Sequence, residues 1–203
     1  ALTIPVEGGS RPVRAIAGGL QRYCVVTVDQ RLGCWRALKQ STWPELPELT
    51  PTISFHQGAA RFLDEAMVED GSIGSRLGCA IRDDGGVSCF GNELESLADI
   101  GGVHPPFSKV SANTQHNAPL YCALTAEGEA WCWGTNAAGQ VGSGTTEPTT
   151  PPLRVVTDVR FGQLVLGGTH VCGLDATGTA WCWGSNGHGA TGLETYEGQA
   201  LTP

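Results

Sequence analysis

The chain alternates apolar and polar positions in short runs, and glycine interrupts them at fixed places. In YCALTAEGEAWCWG, residues 121–134, two such runs flank Ala126, Glu127 and Gly128. Alternation with a period of two is the mark of strands whose two faces meet different surroundings. A three-residue loop ending in glycine fits a hairpin whose last loop residue is left-handed. Counted outward from a closing pair Thr125/Glu129, Leu124 faces Ala130 and Cys122 faces Cys132. Cys122 and Leu124 then share one side, and Tyr121, Trp131 and Trp133 share the other.

The hairpin returns as VCGLDATGTAWCWG, residues 171–184. Gly178 and Gly85 occupy the place of Gly128, and Gln30 stands there in the first copy. Apolar segments precede the hairpins: VRAIAGG (13–19), FSKVSAN (107–113) and FGQLVLGG (161–168) read as buried strands. Glycine turns and Thr/Pro-rich connectors such as TTEPTTPP (145–152) follow them. Strand, hairpin, turn and connector form a unit of about 50 residues. Four units, approximately 1–50, 51–106, 107–155 and 156–203, fill a single domain.

The cysteines sharpen this reading. Cys24/Cys34, Cys79/Cys89, Cys122/Cys132 and Cys172/Cys182 are equal couples with none left over. Each couple falls on a non-hydrogen-bonded cross-strand pair, where Cα atoms lie ~4.5 Å apart, within the reach of a disulfide. Zinc prefers tighter spacing, and the five histidines do not recur in register with the couples. Free buried thiols in a cytosolic protein are the other alternative. Bridged hairpins are the favoured reading, and they imply an oxidising compartment: extracellular, cell-surface or periplasmic.

Composition narrows the partners. Gly 29 and Pro 12 suit many short strands and turns, and 40% apolar residues can supply a core. A net charge of −8 without a Lys/Arg run argues against nucleic acid or anionic lipid as the main partner. No apolar run approaches the ~20 residues of a membrane span. Ala1 reads as the start of a processed or truncated chain.

The pattern H-x-C-x-L-x3-G-x3-CWG-x-N-x2-G-x2-G resembles the repeat of the regulator of chromosome condensation family. It is carried by Cys122, Leu124, Gly128, Trp133, Gly134, Asn136, Gly139 and Gly142, and again by His170, Cys172, Leu174, Gly178, Trp183, Gly184, Asn186, Gly189 and Gly192. The first two units are eroded: WRALKQ follows Cys34, and FGNELESL follows Cys89. The resemblance implies an all-β chain, a β-propeller of four-stranded antiparallel blades. The paired cysteines resemble those of extracellular bacterial members. The family usually closes seven blades, so four repeats read as part of a larger or partial propeller. A two-chain assembly and a four-bladed ring are the alternatives.

The remaining motifs are weighed against this frame. GHGATG (187–192) formally matches a dinucleotide fingerprint but aligns with the repeat turn AAGQVG, without a following helix pattern. Trp131, Trp133, Trp181 and Trp183 recur at fixed repeat positions, which favours packing between blades over a ligand platform. Residues 57–70, QGAARFLDEAMVED, are read either as an inserted amphipathic helix or as an irregular version of the buried strand. No catalytic motif, metal site or cofactor site is proposed by the sequence. The expected function is a non-enzymatic module that binds a protein partner, as part of an oligomer or larger complex. Trp43, in STWPELPEL, with Phe62 and Met67, are the candidate contacts. A glycan-binding adhesin, a secreted enzyme inhibitor and a hydrolase with a site at the propeller mouth are the alternatives.

Overall fold

A computed structural model describes residues 3–6, 9–18, 22–36, 54–55, 62–67, 78–90, 98–115, 118–193 and 198–203. The described residues are β-strands and turns, with one short 3-10 turn at Gly187–Gly189. The strands form four antiparallel sheets in chain order. Blade 1 contains β1 (Thr3–Val6), β2 (Gly9–Gly18), β3 (Arg22–Thr27), β4 (Leu32–Arg36) and β5 (Ser54–Phe55), so it reaches past the approximate boundary at residue 50. Blade 2 contains β6 (Phe62–Met67), β7 (Gly78–Arg82), β8 (Val87–Phe90) and β9 (Ala98–Asp99). Blade 3 contains β10 (Phe107–Gln115), β11 (Ala118–Thr125), β12 (Ala130–Gly134) and β13 (Thr149–Arg154). Blade 4 contains β14 (Phe161–Leu166), β15 (His170–Asp175), β16 (Ala180–Ser185) and β17 (Gln199–Ala200).

The cysteine couples lie in the β3/β4, β7/β8, β11/β12 and β15/β16 hairpins, on directly opposed residues. All four couples are bridged, with Cα atoms 4.1, 3.9, 4.1 and 4.1 Å apart in chain order. The hairpin turns have the anticipated geometry. Thr125 N–H donates to Glu129 O at 3.0 Å, and Gly128 N–H donates to Thr125 O at 3.1 Å. Gly85, Gly128 and Gly178 take φ of 80°, 84° and 85°, and Gln30 takes 62° in the same place.

Residues 62–67 form a strand, not a helix. β6 pairs antiparallel with β7, from Phe62 opposite Arg82 to Met67 opposite Gly78. The helical spacing of Phe62, Leu63, Ala66 and Met67 gives way to the need of β7 for a partner on its inner edge. The rest of the 57–70 segment lies outside the described residues. The three apolar segments form strands over 13–18, 107–113 and 161–166, but are not buried throughout. In β14, Phe161, Leu164 and Leu166 are buried, whereas Val165 is 59% exposed.

The core lies between blades. The alternation of β11 and β12 sends Tyr121, Ala123 and Trp133 into a cluster with Cys79, Ile81, Val87 and Cys89 of blade 2. It sends Leu120, Cys122, Leu124, Ala130 and Cys132 into a cluster with Phe161, Leu164, Val171 and Trp183 of blade 4. The disulfide face of one blade is thus covered by the tryptophan face of the next. β13 ends blade 3 with Pro151 and Pro152, which lack N–H donors and leave its edge a poor template for another strand.

Intact mass without reductant should fall below the reduced mass by eight hydrogens, one per Cys. Peptide mapping should join each cysteine to its partner ten positions on. Crossed pairs, such as Cys34 with Cys79, would contradict the register. Far-UV circular dichroism should show little helix, and helix content above about a third, the average for globular proteins, would contradict the fold.

Candidate interaction surfaces

Two kinds of contact join consecutive blades, and they fix which surfaces remain for a partner. The first uses the hairpin glycine. Gly85 O accepts the N–H of Phe107 at 2.9 Å, and Gly128 O accepts the N–H of Phe161 at 2.8 Å. The innermost strands of blades 3 and 4 therefore start on the turn of the blade before. A Cβ added at Gly128 would lie 2.7 Å from Phe161 O, so this position excludes side chains as well as requiring positive φ.

The second contact uses the glycine turn after the hairpin. Asn136 is 1% exposed; its Oδ1 accepts the N–H of Val141 at 2.9 Å, and its Nδ2 donates to Thr145 O and Glu147 O at 3.0 and 2.8 Å. The turn so pinned receives the indole of blade 4. Trp183 is fully buried and donates Nε1–H to Gln140 O at 2.8 Å. Gly142, with φ of 73°, makes room: a Cβ there would lie 2.9 Å from Trp183 Nε1. Trp133 occupies the same position one blade earlier and stacks on Tyr121 at 5.6 Å. Its Nε1 is buried without a partner among the described residues. The eroded turn 91–97, which would face it by repeat position, lies outside them.

A three-rung ladder joins the inner strands of blades 3 and 4. Lys109 Nζ donates to Gly162 O at 2.8 Å, Ser111 Oγ to Leu164 O at 3.5 Å, and Asn113 Nδ2 to Leu166 O at 2.6 Å. A small cleft of about 220 Å³ lies beside it, lined by Lys109, Ser111, Gln163 and Leu124 among others.

The other indoles differ. Trp131 is half-buried edge-on to Phe107, with centroids 6.2 Å apart. Trp181, at the same position in blade 4, is 36% exposed, so it does not pack between blades as its repeat position suggested. The cause is local. Blade 4 has Asp175 where blade 3 has Thr125. Trp181 Nε1 donates to Asp175 Oδ2 at 3.0 Å, while Thr177 and Thr179 donate to Oδ1. The bonds from Thr177, then from Trp181, hold the Asp175 carboxyl at about 2, below its ordinary 3.8.

Among the described residues, Ile16 and Val28 of blade 1 are each 57% exposed, and two further groups of exposed apolar side chains stand out. One lies at the rim of blade 3, where Val103 is 98% exposed, Leu153 40% and Val156 56%. The loop carrying Val103 rests on β13, since a Cβ at Gly102 would lie 2.8 Å from the Pro151 ring. The other is the disulfide face of blade 4, with Val165 and Leu174 exposed and Cys172–Cys182 partly so. Among the sequence-derived contacts, Trp43 lies outside the described residues. Phe62 and Met67 sit at the two ends of β6; their side chains lie outside the description. Sequence reasoning missed the Val103 rim, because a lone valine in GGVHPP carries no periodic signal. Among the described residues no group of three or more His, Cys, Asp or Glu could hold a metal, and no helix is long and apolar enough to cross a membrane.

One five-stranded and three four-stranded antiparallel sheets, stacked face to face in chain order, define a β-propeller architecture. Residues 107–140 and 163–190 match the regulator of chromosome condensation (RCC1) repeat, and residues 127–174 match a second profile of that repeat. Residues 107–190 thus carry RCC1-like repeats. Its fold is similar to that of human WBSCR16, with a TM-score of 0.67 and 18% identity over 98% of this chain and 61% of that one. It is also similar to yeast RCC1 (Prp20) solved in complex with Kap60, with a TM-score of 0.63 and 16% identity over 93% of this chain and 47% of that one. The computationally designed Ika4 protein matches with a TM-score of 0.52 and 14% identity, over 89% of this chain and 96% of that one. The chain thus spans less than two thirds of WBSCR16 and about half of Prp20. No curated protein sequence matches it.

Trp183→Ala should destabilise the fold by about 3–5 kcal/mol in a denaturant titration, as for a buried aromatic, and Trp181→Ala by only about 1 kcal/mol. Equal losses would contradict the two environments. Because the folded Asp175 carboxyl titrates near 2, its bonds support the turn fully above pH 3.8 and are lost as pH falls through about 2. The Trp181 indole N–H resonance should therefore hold its position from pH 7 to pH 4 and move only below that.

Proposed function

We propose that the chain is a non-enzymatic protein-interaction module of an extracellular, cell-surface or periplasmic compartment. The observation that carries this reading is the pairing of a bridged, rigid scaffold with large apolar side chains left in solvent, with Val103 98% exposed. Bridges and inter-blade locks hold the backbone, so a partner does not have to order the surface it binds. Four disulfides support an oxidising environment. Structural neighbours support protein binding as a class: yeast RCC1 (Prp20) is solved with Kap60, and Prp20p is described with binding to Gsp1p and histones. The eroded half, with Trp43, Phe62 and Met67, is the proposed contact surface, since freedom from repeat geometry lets recognition residues accumulate there.

A second reading, glycan binding, has one observation in its favour. Trp181 is held by Asp175 with its ring partly in solvent, beside the hydroxyls of Thr177 and Thr179. An aromatic face next to hydrogen-bonding groups suits a sugar ring.

The test is a binding screen of the chain against soluble and surface proteins of its own extracellular fraction, then hydrogen exchange on the pair recovered. Trp43→Ala and Phe62→Ala should weaken binding at least tenfold with the melting temperature nearly unchanged. A footprint confined to residues 107–192 would move the surface to the regular blades. Retention on a glycan array, abolished by Trp181→Ala, would favour the second reading. Turnover on ester, peptide or glycoside panels would overturn the non-enzymatic assignment.

A further inference from the structure

The ladder between blades 3 and 4 is uneven. Its outer rungs are short, Lys109 Nζ to Gly162 O at 2.8 Å and Asn113 Nδ2 to Leu166 O at 2.6 Å. The middle rung, Ser111 Oγ to Leu164 O, is 3.5 Å long, against about 2.5–3.0 Å for an ordinary O–H···O bond. The cleft of about 220 Å³ opens at the first two rungs, between Lys109, Ser111, Cys122 and Leu124 of blade 3 and Gly162 and Leu164 of blade 4. Pockets for drug-sized ligands run from ~300 to 1,000 Å³, so this one suits a small molecule. Both of its walls are inner ones: Cys122, Leu124 and Leu164 belong to the core shared by blades 3 and 4. A blade stacked beyond blade 4 would lie on the Cys172–Cys182 face, not on these walls.

The repeat does not require the polar side chains found here. Ser111 faces Cys122, the first cysteine of its couple; the same place holds Ala17 in blade 1, Ala66 in blade 2 and Val165 in blade 4. Lys109 faces Leu124, and its counterparts are Ala15, Asp64 and Gln163. Blade 1, with alanine at both places, forms its sheet without either group. Lys109 is exposed and makes no ion pair among the described residues. An ammonium carries three N–H donors, and Gly162 O takes one. In a chain of net charge −8, an uncompensated cation and a loosely held hydroxyl thus stand together beside Leu124 and Leu164.

We propose that this cleft binds a small carboxylate. The two remaining N–H groups of Lys109 and the hydroxyl of Ser111 donate to the carboxylate oxygens, and the leucines meet its apolar body. Hydrogen bonds to an ionised acceptor are shorter and about twice as strong as those to a neutral one. The carboxylate therefore outcompetes Leu164 O for the Ser111 proton, while the rungs at Lys109 and Asn113 keep the blades in place. Inorganic phosphate would satisfy the same donors but gain nothing from the leucines, so the apolar wall selects an oxyanion carried on a short hydrocarbon or aromatic group.

The experiment titrates the folded 203-residue chain with sodium benzoate, holds ionic strength with sodium chloride, and follows the backbone amides by NMR. Saturable shifts should centre on residues 109–111, 122–124 and 162–164, with a dissociation constant of about 1 mM or tighter. Benzamide keeps the shape without the charge, and inorganic phosphate keeps the charge without the apolar body. Each should bind at least about tenfold more weakly than benzoate. Lys109→Met should weaken benzoate by about tenfold or more, and Lys109→Arg should retain most of the affinity. Ser111→Ala gives blade 3 the residue of blades 1 and 2; its melting temperature should be unchanged and its affinity about threefold lower. Should Lys109→Met fail to fold, Ser111→Ala and benzamide carry the test. No saturable shift by about 10 mM, shifts centred elsewhere, equal binding of benzamide or phosphate, or unchanged affinity in Lys109→Met or Ser111→Ala would each overturn the proposal.

Discussion

The indole of Trp183 sits in the glycine turn of blade 3, and the stack depends on that contact. It buries a large ring with its N–H satisfied by Gln140 O. It also covers the Cys122–Cys132 bridge and orients β16. The receiving turn is built for it. Asn136 holds the loop, and Gly142 gives the ring its approach. The repeat motif is therefore one half of an interface, and its other half lies in the next repeat. A tryptophan costs stability when left uncovered, so a blade of this kind is a poor independent unit. Its stability is largely a nearest-neighbour property, as in other repeat proteins.

The disulfides address a different need. A two-stranded hairpin is marginal in water, and the strands of the bridged hairpins have only 4–8 residues. A bridge across ten residues contributes up to ~3 kcal/mol by loop entropy, less where the hairpin already forms locally. The bridge stiffens each blade from within, while the indole and the turn carbonyls join blades to one another. These separate sources of rigidity suit a scaffold whose exposed apolar groups, at Val103, Leu153 and Val156, keep fixed positions relative to one another.

The hairpins, their bridges and the assignment of faces were legible in the sequence, because all three follow from strand alternation and one turn geometry. Glycine at 85, 128 and 178 marks the left-handed position, and Gln30 shows that the register persists where the preferred residue is lost. The segment around Phe62 was ambiguous, since its apolar spacing satisfies a helix and a strand equally. Pairing with β7 decides it, and that pairing is a tertiary fact. The contrast between Trp131 and Trp181 was also hidden. Identical motif positions diverge because Asp175 replaces the Thr125 equivalent and draws the indole N–H outward. Exposure of Leu174 against burial of Leu124 depends on what stacks above each blade, which no local pattern encodes.

The account rests on the indole of one blade being held by the turn of the preceding one, and a double-mutant cycle on Gly142 and Trp183 tests this directly. Gly142→Ala places a methyl 2.9 Å from the indole nitrogen in a backbone with φ of 73°. In a Trp183→Phe background the backbone strain remains but the clash with the indole is gone. Denaturant titration of the four proteins should therefore give a coupling energy of at least about 1 kcal/mol, with Gly142→Ala less harmful in the Trp183→Phe background than in the parent chain. Losses that add to within about 0.5 kcal/mol would mean the two residues do not meet, and the inter-blade lock would have to be abandoned.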